Sequence, residues 1–267
     1  MRIAYLGQMA DVATANGISK KIRMQALHWM NVGHTVRYFS LVPSTAVWPG
    51  LAPLDAELFA RGHLLQRVAQ SRRLAERIRA WQPDVIYFRY AYHSAGLPAL
   101  FQRVPAVAEL NSDDLTEYPI TLSPPKLLYH KLTRHRVLDA CRAFVPVTHE
   151  LDQRFQSFAK PSRVIANGVD LSSIPTAPAP DPARPFRFVF VGSAGTPWHG
   201  LDRIAELATL FPAASSMSLA RRLCLPRATL GFTDTSPWRS TFRCSIRRMS
   251  HSARSPCIGN AWTRRAR

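Results

Sequence analysis

The feature that most constrains this 267-residue sequence is an alternation of short apolar runs with longer segments of helical period. Ile3, Ala4, Tyr5 and Leu6 form an apolar run closed by Gly7. A polar loop follows. Ile18, Ile22, Ala26, Trp29 and Met30 then recur along one helix face, with Gly33 placed as the stop. Residues 35–41 read as the next strand. An apolar run without polar alternation is the mark of a strand buried on both faces, and two such strands joined through a helix make a parallel βαβ unit. The pattern continues with strands at 83–88, 106–110, 143–147 and 163–166, and with helices at 64–81 and about 126–141. The expected fold class is α/β, a Rossmann-like doubly wound parallel sheet.

Residues 174–185 contain five prolines and read as a linker. A strand at 186–191 ends at Gly192, and a helix is expected at 204–211, so a second βα unit opens after the linker. The expected organisation is a first domain at 1–173, a linker at 174–185, the start of a second, incomplete Rossmann-like domain at 186–213, and an irregular basic tail at 214–267.

Charge sets that tail apart. The formal net charge is +18, yet residues 1–213 hold 24 Lys+Arg against 16 Asp+Glu, a balance of +8. Residues 214–267 hold 11 Arg, one acid (Asp234), no Lys and no Glu, a balance of +10. Their apolar residues follow no sustained period of 2 or 3.6. The break falls midway through an otherwise regular βα unit. Shifted reading of GC-rich DNA enriches Arg, Ser, Pro, Ala and Cys, so the segment is expected to be an out-of-frame translation. The competing reading is a disordered basic tail able to touch nucleic-acid phosphates. The absence of Lys and of any recognisable nucleic-acid motif weighs against it.

Other classes are excluded more simply. No run of 18 apolar residues marks a membrane span, and the N-terminus shows no cleavable signal pattern. Cys141, Cys224, Cys244 and Cys257 form no CxxC pair and no metal-ligand spacing, which points to a reducing compartment without structural zinc. The expected location is cytoplasmic. A basic amphipathic helix carries Lys126, Lys131, Arg134, His135 and Arg136, which allows peripheral contact with the inner face of a membrane; a solvated face over a core stripe is the plainer reading. The Arg-rich helix at 64–81 allows the same pair of readings.

In an open parallel sheet ligands bind beyond the carboxyl ends of the strands. Here those ends fall at residues 7–19, 89–93, 109–114, 148–150, 167–170 and 192–200. Several of these stretches resemble the family 4 glycosyltransferases. The resemblance is carried by the loop Asn16-Gly17-Ile18-Ser19-Lys20, by Asp84 through Tyr90, by Glu109-Leu110-Asn111, by Val147-Thr148 and by Asn167-Gly168-Val169-Asp170. After the linker it continues in Gly192-Ser193 and in Pro197-Trp198-His199-Gly200-Leu201-Asp202. It covers about residues 1–212.

The resemblance implies two Rossmann-like domains facing each other, and transfer of a sugar from a nucleotide-sugar donor to a polysaccharide or lipid-linked acceptor. It also implies retention of anomeric configuration, with no metal and no cofactor. Residues are implied as follows: Glu109 and Asn111 as catalytic; Gly17, Ser19 and Arg89 on the acceptor or reacting sugar; Gly192, Ser193 and His199 on the donor phosphates. Gly17 reads equally as a tight strand-to-helix turn, Arg89 as half of a surface salt bridge, and Asn167 and Asp170 as a turn and a cap. His93 and His149 have no partner that the sequence identifies. Family members commonly have Arg just after the second domain's glycine and Lys just before the next; here those places hold Ser193 and His199. The family also uses two glutamates eight positions apart in the second domain. No Glu follows Glu206, so the chain is expected to lack the donor site and to be inactive as it stands. The alternatives are a non-catalytic Rossmann-like binding module and a basic-tailed nucleic-acid-binding protein.

Overall fold

A computed structural model of the chain describes residues 1–7, 12–13, 16–43, 45–171, 174–176, 178–179, 187–193, 200, 203 and 215–221. They fall into two units, Met1–Pro175 and Thr176–Arg267.

The first unit is built on six strands: β1 (Arg2–Leu6), β2 (Thr35–Val42), β3 (Asp55–Ala60), β4 (Val85–Arg89), β5 (Ala106–Leu110) and β6 (Ala143–Pro146). Their order is β3-β2-β1-β4-β5-β6, and every neighbouring pair is parallel. The helices are α1 (Gly17–Asn31), α2 (Leu64–Ala80), α3 (Leu97–Phe101), α4 (Asp114–Thr121), α5 (Pro124–Leu138) and α6 (His149–Phe155). This is the expected Rossmann-like parallel sheet.

The central strand shows why. Successive side chains of β1 point to opposite faces. Ile3 and Tyr5 join one core cluster with Ile22 and Ala26 of α1, and Ala4 and Leu6 join another with Leu74 and Ile78 of α2. Burial on both faces requires the unbroken apolar run seen in the sequence. Each large side chain sealed in this way contributes about 1.5–3 kcal/mol. Asn16 caps α1 by accepting from the backbone N–H groups of Ile18 and Ser19, while the Ser19 hydroxyl accepts in return from Asn16 N. Gly33, at φ +88°, ends the helix as its position predicts.

Four elements, β3, α3, α4 and α6, are added to the sequence reading. β3 carries Asp55 and Glu57, so it lacks an apolar run; it is an edge strand, and its acids are matched by Arg37 and Arg77 at 2.6 Å. The short α3 and the Pro119-interrupted α4 show too little periodicity to be read. The strand expected at 163–166 reduces to a bridge between Ser162 and Phe144, with Arg163 N and Ile165 N donating to β6 carbonyls at 3.1 and 3.0 Å. The expected helix at 126–141 starts earlier, because Pro124 and Pro125 fit the donor-free first turn.

In the second unit β7 (Arg187–Ser193) pairs in parallel with β8 (Ser215–Arg221). Over residues 215–221, within the segment read as lacking any sustained period, Met217 and Leu219 alternate with Ser216 and Ser218. The expected helix at 204–211 and the segment 222–267 lie outside the described residues.

Candidate functional site

The site is assembled at the carboxyl edge of the first sheet. The β4–β5 register sets Arg89 opposite Glu109. Arg89 Nη1 donates to Glu109 Oε2 at 3.2 Å, and Tyr87, two residues back along β4, donates its hydroxyl to Oε1 at 3.0 Å. Lys21 lies one helical turn beyond Gly17 on α1, the spacing that puts both on one helix face. Its Nζ stands 2.8 Å from Glu109 Oε1 and also donates to the side-chain oxygens of Asn111 and Asn167. Asn111 completes the ring by donating Nδ2 to Glu109 Oε2 at 2.9 Å.

Glu109 is therefore an almost fully buried carboxylate, 3% exposed, met by four donors. Burial alone raises its pKa, but Lys21, Asn111 and Arg89 together hold it below the ordinary value. Burial lowers the pKa of Lys21, against the opposing pull of Glu109. Two cations around one carboxylate leave the cluster net positive. It opens on a groove of about 1180 Å³ between α1 and residues 165–174, lined among others by Gly17, Lys20, Lys21, Glu109, Asn167 and Asp170.

The structure thus gathers Glu109, Asn111, Arg89 and Gly17, which the sequence had marked separately. Asn167 takes up Lys21. Gly17 is not forced by its surroundings, since a Cβ there would meet no described atom within 4 Å. Ser19 is placed differently from the substrate-binding role expected of it: it is buried, with its hydroxyl committed to the α1 cap. Arg89 pairs with buried Glu109 and is itself half-buried, so the ion pair is not a surface one. His93 has a partner, its Nδ1 lying 2.7 Å from the Tyr129 hydroxyl, and His149 opens α6. Gly192 and Ser193 end β7 in the second unit, whereas His199 lies outside the described residues.

Sequence reasoning missed Lys21, because one residue of the Lys20-Lys21 pair looks like the other until the helix is phased against Gly17. It also missed a second buried cluster behind the first. Asp114, at the start of α4, accepts from the Tyr90 hydroxyl at 2.9 Å and from Arg134 Nε and Nη2, both at 3.0 Å, and meets His130 Nε2 at 2.6 Å. Burial opposes its charge, but His130 and Arg134 hold its carboxyl far below the ordinary range. Arg134 is thereby corrected: it belongs to this interior network and not to the outer basic face of α5. His130 and Arg134 are four apart on α5, so they reach one carboxylate and clamp α4 and α5 to the end of β4. Among the described residues no group of three His, Cys, Asp or Glu is placed to hold a metal, and no helix is long and apolar enough to cross a membrane.

Over residues 15–173, more than half the chain, the sequence matches the family described as Glycosyltransferase Family 4. No curated protein matches it. Among solved structures, the apo form of the lipopolysaccharide outer core galactosyltransferase WaaB superposes with a TM-score of 0.57 at 12% identity, over 82% of this chain and 60% of that one. Anabaena Alr3699/HepE, in complex with UDP and glucose, gives 0.53 at 16% identity, over 94% and 67%. An α-glucosyltransferase in complex with UDP and a 13-mer DNA containing a central A:G mismatch gives 0.52 at 12% identity, over 84% and 57%. At these identities the likeness is one of fold. The chain spans 60% of the length of the galactosyltransferase.

Proposed function

The chain belongs to glycosyltransferase family 4, and from that premise we propose that its parent activity is transfer of a sugar from a nucleotide-sugar donor to a glycan or lipid-linked acceptor. In this reading the product keeps the donor's anomeric configuration, no metal takes part, and the reaction serves polysaccharide assembly in the cytoplasm or at the inner face of a membrane. The observation that carries it is the net-positive Glu109 cluster at the carboxyl edge of the sheet, opening beside Gly17 on the groove.

Sugar transfer from a nucleotide donor builds negative charge on the departing phosphate and positive charge at the sugar ring. Fixed groups of the right sign, held without water, lower that barrier. Glu109, kept ionised by its neighbours, acts as a fixed carboxylate toward the ring. Asn111 orients it. Lys21 and Arg89 supply positive charge toward an anionic group of donor or acceptor, and the bare backbone of Gly17 lets the sugar or its phosphate approach closely. On the second unit Gly192, Ser193 and His199 are assigned to the donor phosphates.

In the same reading residues 214–267 are translated out of frame, so that the chain lacks the donor-gripping glutamates and is inactive as it stands. The support is compositional: 11 Arg and no Lys or Glu. Resequencing the gene between the codons for Glu206 and Ala214, with translation of all frames, tests the frame. The product of a restored frame should transfer labelled sugar from a panel of nucleotide sugars, and Glu109→Gln should lower that rate by about 100-fold. No transfer from any donor, or full activity in Glu109→Gln, would overturn the assignment.

A further inference from the structure

We propose that Tyr92, Tyr118, Glu117 and Arg61 form a subsite for a neutral sugar ring at the carboxyl edge of the first sheet. The Tyr92 and Tyr118 rings lie 4.9 Å apart, tilted by 50°. Both meet the imidazole of His130 edge to face, at 6.1 and 4.6 Å between centroids. Tyr92 belongs to the loop after β4, Tyr118 to α4 and His130 to α5, so the cluster is assembled from three parts of the fold. Both tyrosines are part-buried, whereas His130 is sealed behind them.

The polar groups around these rings are uncommitted. Among the described residues neither phenol hydroxyl meets a hydrogen-bond partner, and neither Glu117 nor Arg61 enters an ion pair. Yet both charges lie close enough to act on the Tyr92 hydroxyl: burial raises its pKa, Glu117 adds to the rise and Arg61 opposes it. The two opposite charges do not close on each other; they remain available around two aromatic rings. His130 Nε2 is taken by Asp114, but Nδ1 is buried with no partner among the described residues. A sealed ring nitrogen calls for a hydrogen-bonding group beside it.

These features select the ligand. The apolar C–H face of a pyranose can lie against an aromatic ring while its hydroxyls both donate and accept. Glu117 accepts from such hydroxyls, Arg61 donates to them, and the phenols do either. A phosphate would meet Glu117 and an amine would meet Arg61, each at a cost. A ring with several hydroxyls and no charge satisfies both. Aromatic walls with a few convergent polar groups are the common form of a small-molecule pocket.

Tyr92 lies three residues past Arg89, and α4 follows the end of β5, so both walls leave the sheet edge that carries Glu109. Asp114 anchors His130 and accepts from Tyr90, which fixes the floor. The subsite deepens the proposed function and rests on it in one respect, that the ring held here belongs to the acceptor. The acceptor is then a glycan that presents a neutral sugar. Binding itself requires no transfer.

The test is saturation-transfer NMR of the full chain with maltose, lactose and cellobiose, and with glucose 1-phosphate as the anionic control. Tyr92→Ala removes one wall; Glu117→Gln keeps the shape and removes the charge. Circular dichroism checks that each variant is folded. The parent should bind at least one of the neutral disaccharides, with saturation strongest at the C–H protons of one ring face. Glu117→Gln should weaken that binding by about tenfold, and Tyr92→Ala should abolish it. No binding of any of the three disaccharides, or unchanged binding in either folded variant, would overturn the proposal. So would tighter binding of glucose 1-phosphate than of the disaccharides. If transfer fails in the restored frame while these effects hold, the subsite stands and the catalytic reading falls. If transfer succeeds and both variants bind sugar as the parent does, the subsite alone falls.

Discussion

At the scale of single residues, the first unit rests on two buried carboxylates that are ionised for different ends. Glu109 opens on a groove; Asp114 is sealed. Both have pKa values held below the ordinary ones of 4.5 and 3.8. A carboxylate depressed in the folded state adds stability that is fully present above its unfolded value and is lost as pH falls through the folded one. Resistance to denaturant should therefore decline as the medium is acidified below about pH 4.5. Asp114→Asn should remove most of that decline and cost about 3–5 kcal/mol at neutral pH, because Arg134 keeps its charge without a counterion. Urea unfolding of both proteins across the acid range measures this, and an unchanged acid limb in the variant would count against it.

At the scale of elements, what could be read from sequence was set by which elements advertise themselves alone. β1, β2, β4 and β5 each carry a run of apolar residues, and α1 and α2 carry a full helical period, so all were legible. Their ends then marked Arg89, Glu109 and Asn111 as neighbours at one sheet edge. β3 was not legible, because an edge strand can mix Asp55 and Glu57 with Leu58 and Phe59 when arginines lie alongside. The clamp of Asp114 by His130 and Arg134 was hidden for another reason: helical spacing says that two residues share a face, but not whether that face is turned inward. α3 depends on such a hidden contact too. Gly96 precedes it at φ +90°, and a Cβ there would lie 3.3 Å from Ala75 Cβ of α2. Gly96→Ala should cost about 1–2 kcal/mol through the left-handed backbone alone. Its midpoint in thermal unfolding should fall accordingly, and an unshifted midpoint would count against that backbone cost.

At the scale of the whole molecule, the charge asymmetry governs behaviour in solution more than the site does. Residues 214–267 carry a balance of +10 out of +18. Binding to a nucleic-acid duplex should therefore be indifferent to sequence and should weaken steeply as salt rises. Deleting residues 222–267 should abolish it. Salt-dependent retention that survives the deletion would place the binding on residues 1–221 instead.

The strand order bears on how the molecule is made. β1 precedes the other five strands of its sheet in sequence, yet it lies inside the sheet, between β2 and β4. A nascent chain that has produced β1, β2 and β3 still presents one long edge of β1, and that edge stays open until Val85–Arg89 has been synthesised. An open edge of a strand meant for full burial is a template for pairing with another chain. Polypeptides that stop before Arg89 should therefore need chaperone protection, and the need should pass only once β5 and β6 have followed β4 onto the sheet.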